Sequence, residues 1–238
     1  KEILAKAKKI KLEINSINEL AQHSSGFLGS SISLGIIPTI SPYFLPLILP
    51  KVRKKFSNLK FKIEEGQSQI LLDKVNEGDL DMAILALPYD TKDLTTFKFW
   101  EEDFFWVSNT QDKNAGKTEI KASELENADL LLLEDGHCLK DHILGACNFS
   151  SSSKYSLKAS SLNTIIQLVK GRMGTTLIPK MALKELIGSK KDFFIAHLNE
   201  PGPHREIALV TRPDYAGMEN MNLLIDFFEQ CLRQSNRN

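Results

Sequence analysis

Apolar residues recur along the start of the chain at spacings of four and three. Ile3, Ala7, Ile10, Ile14, Ile17 and Ala21 form a heptad seam, with lysines and glutamates filling most positions between them. The pattern predicts an amphipathic helix. It begins in register and without an N-cap, so the preferred reading is the tail of a longer dimerisation helix. The alternative is a surface helix packed on its own domain. Ser24 to Gly29 is a polar, glycine-containing break and reads as a linker.

Beyond that break the pattern alternates between strands and helices. Strands are predicted over Ser30–Ile36, Leu59–Glu64, Met82–Leu87, Phe104–Val107, Leu130–Leu133, Lys154–Lys158, Thr175–Ile178 and Ile207–Thr211. Helices are predicted over Pro42–Phe56, Gln69–Asn76, Cys138–Cys147 and Met218–Leu232, and from an N-cap at Ser161 to Gly171. Pro46 and Pro50 weigh against the first of these helices. Met82–Leu87 is an apolar run of the buried-strand type. Repeated strand–helix units predict α/β architecture, with sheets covered by helices. There is no internal repeat. The serine run 150–153 is the one low-complexity patch and reads as a mobile loop.

Composition narrows the classes. The chain has 238 residues, enough for one large domain or two small ones. Lysine plus arginine equals aspartate plus glutamate, 30 against 30. A chain that holds nucleic acid by itself carries a basic surplus, so DNA contact is expected only through a segment outside this sequence. No apolar run reaches the length of a membrane span, and no charged-then-apolar leader is seen. The expected setting is the cytoplasm. Cys138, Cys147 and Cys231 are the only cysteines. So sparse and odd a set is no secreted disulfide framework; in a reducing compartment a spaced pair points to redox or catalytic chemistry.

Most of the candidate chemistry lies between Leu131 and Cys147. A strand ends near Glu134, and Asp135 with Gly136 is expected to turn the chain and cap a helix starting near Cys138. A thiol there sits at the positive end of the helix dipole, which favours the reactive thiolate. His137 and Lys140 push the same way if they face inward. Cys147 lies nine residues on. Along an intact helix that is about two and a half turns and a rise of roughly 13 Å. A disulfide needs its Cα atoms within about 7 Å, so bonding the pair must unwind the segment. Closing the loop is worth about 2.5–3 kcal/mol, comparable to a few helix-end contacts. A two-state switch is therefore energetically accessible. Two other readings stand beside it. Free cysteines are commonly buried as small hydrophobes, which is the reading for Cys231. Cys138 and His142 share a helix face near Cys147 and could hold a metal, but zinc prefers tighter paired spacings and a fourth ligand.

The run Leu133-Glu-Asp-Gly-His-Cys-Leu-Lys-Asp141, with a second cysteine nine residues after the first, resembles the peroxide-responsive OxyR-type regulators of the LysR family. The segments Gly35–Pro46, Gly78–Ala86, Gly171–Pro179 and His204–Pro213 are similar to LysR-type regulators generally. The resemblance runs from Gly26 to about Leu232. It implies a fold like periplasmic solute-binding proteins, with two Rossmann-like α/β subdomains and a chain that crosses between them twice. Residues 1–25 would be the remnant of a linker and dimerisation helix. Residues 26–99 plus 206–238 would form one subdomain, and 100–205 the other. A winged helix-turn-helix would precede them.

The resemblance also implies roles. Cys138 would be the peroxide-reactive thiol and Cys147 its resolving partner. Thr39, Ser68, His137, Asp141 and Arg205 would line the peroxide pocket, Arg205 stabilising the thiolate. Read from the residues alone, Thr39 could cap a helix, Asp141 could be an ordinary first-turn charge, and Arg205 a surface charge. This sequence departs from the family pattern in four places. Ser68 stands for threonine, Lys140 for arginine, and His142 for glutamine, while residues 148–153 do not follow the pattern. Lys140 keeps the charge but loses the planar fork. The implied function is control of oxidative-stress genes by a reversible Cys138–Cys147 disulfide. It is stoichiometric signalling rather than enzymatic turnover, without cofactor or metal. The implied partners are hydrogen peroxide, promoter DNA through the preceding domain, RNA polymerase, further copies in a dimer or tetramer, and a thiol reductant for reset. Rival readings are a metabolite sensor of the same fold with the effector between the subdomains, an exported solute-binding protein, and a thiol peroxidase.

Overall fold

The computed structural model describes residues 31–126, 128–149, 158–188 and 191–235, together with 3, 6, 10–14 and 17. Four members of the N-terminal seam are among them. Ile3, Ile10, Ile14 and Ile17 are helical and exposed, between 53% and 85%. Ala7, Ala21, the linker at 24–29 and the serine patch at 150–153 lie outside the described residues. So does all of the strand predicted at 154–158 except Lys158.

In chain order the first elements are β1 (Ser31–Ile36), α1 (Ser41–Lys55), β2 (Lys60–Glu65), α2 (Ser68–Asn76), β3 (Met82–Leu87), β4 (Thr95–Glu102) and β5 (Phe104–Asn109). There follow β6 (Glu119–Ile120), α3 (Ala122–Leu125), β7 (Leu132–Leu133), α4 (Cys138–Ala146), β8 (Lys158–Ala159), α5 (Leu162–Lys170) and β9 (Thr176–Pro179). The chain ends with α6 (Leu183–Ile187), β10 (Phe193–Leu198), β11 (Arg205–Thr211) and α7 (Met221–Ser235). The α/β class expected from the sequence is the one observed.

The chain folds as two compact units. Unit 1 is Lys1–Leu85, Tyr89–Trp100 and Ile207–Asn238; unit 2 is Ala86–Pro88 and Glu101–Glu206. In the sheet of unit 1 the strand order is β2-β1-β3-β11-β4. Strand β1 runs parallel to both β2, from Ser31 opposite Lys60 to Ile36 opposite Glu65, and β3. All six residues of β3 are buried, as a parallel strand covered on both faces should be. Gly35 lets α2 approach this sheet: a Cβ there would meet Leu80 at 2.8 Å and Leu71 at 2.9 Å. Helix α1 forms despite its prolines. Pro42, Pro46 and Pro50 recur every fourth residue and all are exposed, so the carbonyls they leave unbonded fall on the wet side of the helix. Its other face packs Phe44 against Phe228 of α7, with ring centroids 5.1 Å apart.

In unit 2 a four-stranded sheet has the order β6-β10-β5-β9, and β7 pairs with β8 in a two-stranded parallel ladder. Strand β5 is antiparallel to both neighbours. The sequence pattern had left β4, β6 and β10 unassigned. β4 reads Thr-Thr-Phe-Lys-Phe-Trp-Glu-Glu, where charged residues interrupt the alternation, and only two of its eight residues are buried. Among the described residues no helix is long and apolar enough to cross a membrane.

Candidate functional site

The redox-candidate segment is built from the end of β7 upward. Glu134 N–H bonds Ala159 O at 3.0 Å and prolongs the β7–β8 ladder by one step. Gly136, at φ +96°, then turns the chain. His137 is the N-cap of α4, in extended conformation and without a side-chain cap, so the expected capping by Asp135 is not what starts the helix. Asp135 instead pairs with Lys140.

Cys138 is the first residue of α4 and Cys147 its C-cap; both are free thiols and both are buried. Helix α4 ends in a Schellman turn. Phe149 N–H bonds Leu144 O at 2.9 Å and Asn148 N–H bonds Gly145 O at 3.1 Å, with Asn148 left-handed at φ +53°. Leu139, Ile143 and Leu144 are buried along the helix. The reduced pair is thus held at opposite ends of one regular helix, about 13 Å of rise apart.

Burial, with a smaller contribution from the Glu200 charge, pushes the Cys147 thiol up to about 12. In the folded, reduced protein Cys147 is a protonated thiol. Iodoacetamide at pH 8 should therefore alkylate native Cys147 about 1000-fold more slowly than in the unfolded chain, as follows from a rise of three pH units from 9.0. Quantitative peptide mapping of a short alkylation pulse measures this. Equal rates in the folded and urea-unfolded protein would overturn it. The raised value also carries a stability contribution, full below pH 9 and lost as pH rises toward 12.

His142 lies one turn after Cys138 and is also buried. Its Nε2–H donates to Pro88 O at 2.9 Å, within unit 2. Burial holds its pKa below the ordinary histidine value; the nearby Arg205 charge adds to that, while the Pro88 bond and Asp141 oppose it. Arg205 is fully buried rather than a surface charge. Its Nε and Nη2 donate to Glu102 Oε1 at 2.8 and 2.6 Å, and Glu102 Oε2 accepts from Met181 N–H at 2.8 Å. Sequence reasoning missed Glu102, a carboxylate hidden in a run of three acidic residues. His137 is buried beside the thiol in sequence, whereas Asp141 is exposed on its turn. Among the described residues no group of three or more His, Cys, Asp or Glu is placed to hold a metal ion.

Thr39 and Ser68 belong to unit 1. They follow adjacent parallel strands, Thr39 in the turn after β1 and Ser68 at the start of α2 after β2. Both therefore lie at the carboxyl edge of the parallel strands, where open α/β sheets take their ligands. The N-cap of α1 is Ile40, so Thr39 is not the helix cap. Both residues are buried, and Ser68 Oγ has no hydrogen-bond partner among the described residues.

Comparison with known proteins is consistent along the whole chain. The family described as the LysR substrate binding domain matches residues 25–233. The chain is 32% identical to the HTH-type transcriptional regulator EstR of Acinetobacter baylyi, over 96% of this chain and 76% of that protein. It is 34% identical to a probable hydrogen peroxide-inducible genes activator of Mycobacterium avium, over 89% of this chain and 68% of the other. Among solved structures, a hydrogen-peroxide-bound cysteine-to-serine mutant of Corynebacterium glutamicum OxyR superposes with a TM-score of 0.84 at 30% identity, covering 98% of this chain and 74% of that one. The reduced OxyR regulatory domain of Pseudomonas aeruginosa superposes at 0.77 with 28% identity, covering 86% and 99%. The chain therefore belongs to the LysR family of transcription regulators, residues 25–233 forming the family's substrate-binding domain.

Proposed function

We propose that the chain is the sensing region of a peroxide-responsive regulator, switched by a reversible disulfide between Cys138 and Cys147. The carrying observation is the placement of two buried free thiols at the two ends of the single helix α4. The Cys138 thiolate attacks one oxygen of hydrogen peroxide, the O–O bond breaks, and hydroxide leaves, giving a sulfenic acid. The Cys147 thiol then attacks the Cys138 sulfur, and the sulfenic oxygen departs as water. A thiol reductant returns the pair to the starting state. In this reading the disulfide itself is the signal, and the chain acts as a sensor rather than as a peroxidase.

In this reading Thr39, Ser68, His137, Asp141 and Arg205 form the peroxide pocket. Thr39, Ser68 and His137 hold the peroxide and assist the leaving hydroxide through hydrogen bonds. Residues 26–99 with 206–238, and 100–205, act as the two regulatory subdomains, and residues 1–25 as the remnant of the linker helix. Promoter DNA is bound through a winged helix-turn-helix beyond this sequence. The protein works in the cytoplasm as a dimer or tetramer, contacts RNA polymerase, and activates oxidative-stress genes. Hydrogen peroxide-inducible activators among the relatives support this reading.

The test is intact-mass and peptide mapping after one equivalent of hydrogen peroxide. The expected result is the loss of two hydrogens, mapped to a Cys138–Cys147 crosslink and reversed by dithiothreitol. Cys147→Ser should instead stop at a Cys138 sulfenic acid that a dimedone probe captures. If both thiols of the wild-type chain stay free and alkylatable, the redox reading fails. The similarity to EstR, whose name carries no peroxide, would then favour a metabolite effector.

A further inference from the structure

His142 stands one turn after Cys138, inside the helix that separates the two thiols, and is 4% exposed. A carbonyl oxygen only accepts, so the 2.9 Å bond to Pro88 O places the imidazole hydrogen on Nε2. Nδ1 is left with a bare lone pair, and among the described residues it has no hydrogen-bond partner. We infer that His142 couples the disulfide switch to pH, so that acid favours the oxidised form of the chain. The inference rests on the Cys138–Cys147 reading above.

The reduced helix keeps the ring neutral. A second proton, on Nδ1, would create a buried imidazolium whose new N–H meets no acceptor, and such a group is strongly disfavoured. The charges that act on the ring come from two elements. Arg205 of β11 opposes protonation, with Glu102 of β4 as that arginine's counter-ion, and Asp141 on α4 itself favours protonation. Cys138 and the N-cap His137 are the other titratable groups at this end of the helix. Burial outweighs the charges and holds His142 below the ordinary 6.5.

Oxidation removes the constraint. His142 lies within the loop that a Cys138–Cys147 bond closes, and a rise of about 13 Å cannot become a Cα separation of about 7 Å unless the turns that carry it open. Once water reaches Nδ1, the ring titrates near 6.5. Above that pH His142 is neutral in both forms, and the helix keeps its full advantage. As pH falls from 6.5 toward the lowered value, only the opened form takes up the proton, and the helix loses stability relative to it. On reduction the disulfide takes two electrons and two protons to give two thiols, while the thiol reductant becomes a disulfide. In acid the extra proton on His142 must also leave, so acid opposes this step. The limiting effect is about tenfold in the oxidised-to-reduced ratio per pH unit, or about 30 mV for a two-electron couple.

The experiment equilibrates wild type and His142→Gln in the same glutathione thiol–disulfide buffers, from about pH 8 to pH 5.5, and counts free thiols by alkylation and mass. Glutamine retains an amide N–H for Pro88 O and does not titrate. His137 and Asp141 remain in both proteins, so their contributions cancel. The two midpoints should keep a constant offset above pH 7 and diverge below 6.5, the wild type becoming more oxidised by about threefold or more at pH 5.5. Carbon-13 NMR of the His142 ring in the wild type gives a second reading: its titration midpoint should be lower in the reduced chain than in the oxidised one. The inference is overturned if the disulfide forms and the offset between the two proteins is the same at every pH. It is equally overturned if His142 titrates at one and the same pH in both redox forms. A chain that forms no Cys138–Cys147 disulfide overturns the redox reading, and this inference with it.

Discussion

Replacing Glu102 by alanine is expected to destabilise unit 2 by about 3–5 kcal/mol, the scale for breaking a buried ion pair from one side. The side chains of Arg205 and Glu102 are 0% and 1% exposed. Two guanidinium nitrogens converge on one carboxylate oxygen, and the other oxygen accepts the Met181 N–H. Glu102→Ala takes the Glu102 carboxylate away from a buried guanidinium and removes the acceptor of the Met181 N–H. Since a domain has about 5–15 kcal/mol in total, unit 2 should unfold at markedly lower urea concentration. Arg205→Met should be damaging for the mirror-image reason. The paired change Glu102→Leu with Arg205→Met removes both charges together and should recover most of the loss. Urea midpoints for the three variants decide the matter. Single and double variants of equal stability would mean that the pair carries no coupling. The recovered double variant also serves the functional proposal. If Arg205 stabilises the Cys138 thiolate, that variant should fold and yet react slowly with peroxide.

Oxidation is expected to abolish helix α4. Amides from His142 to Cys147 should lose hydrogen-exchange protection by about 100-fold or more when the Cys138–Cys147 bond forms. The reason is geometric: the helix holds the two residues about 13 Å apart along its axis, and the bond tolerates about 7 Å between Cα atoms. Full exposure of Leu139, Ile143 and Leu144 would cost on the order of 5 kcal/mol or more, above the 2.5–3 kcal/mol associated with closing the loop. The remodelled segment is therefore expected to bury part of that apolar surface again, against new partners. Protection unchanged on oxidation, with the crosslink verified by mass, would sink the helix-unwinding mechanism while leaving the thiol chemistry intact.

Several features were legible before any coordinates. The α/β class followed from the alternation of strand and helix periods. Met82–Leu87 was readable as a buried strand because a strand covered on both faces is apolar at every position. Ser161 was readable as an N-cap because a serine before an amphipathic run has an amide within reach, and its Oγ accepts from Thr164 N–H at 3.2 Å. The helix between the cysteines followed from the same local logic. Strand β4 was not legible, because its charged residues spoil the alternation and its place in the sheet is set by pairing with a strand a hundred residues away. The prolines of α1 misdirect in the same way: their tolerance depends on all three facing water, which packing decides.

The amino-acid sequence by itself determined what depends on neighbours in the chain: helix periods, caps, turns, and the spacing that puts Cys138 and Cys147 at opposite ends of a nine-residue helix. Only the tertiary structure decided what depends on residues far apart. It hid Arg205 against Glu102, bonded His142 to Pro88, and buried Cys147 until its thiol stays protonated. The physical reason is that burial and long-range pairing fix the local dielectric and the partners of each charge. Those two quantities, not the identity of the side chain, determine its chemistry.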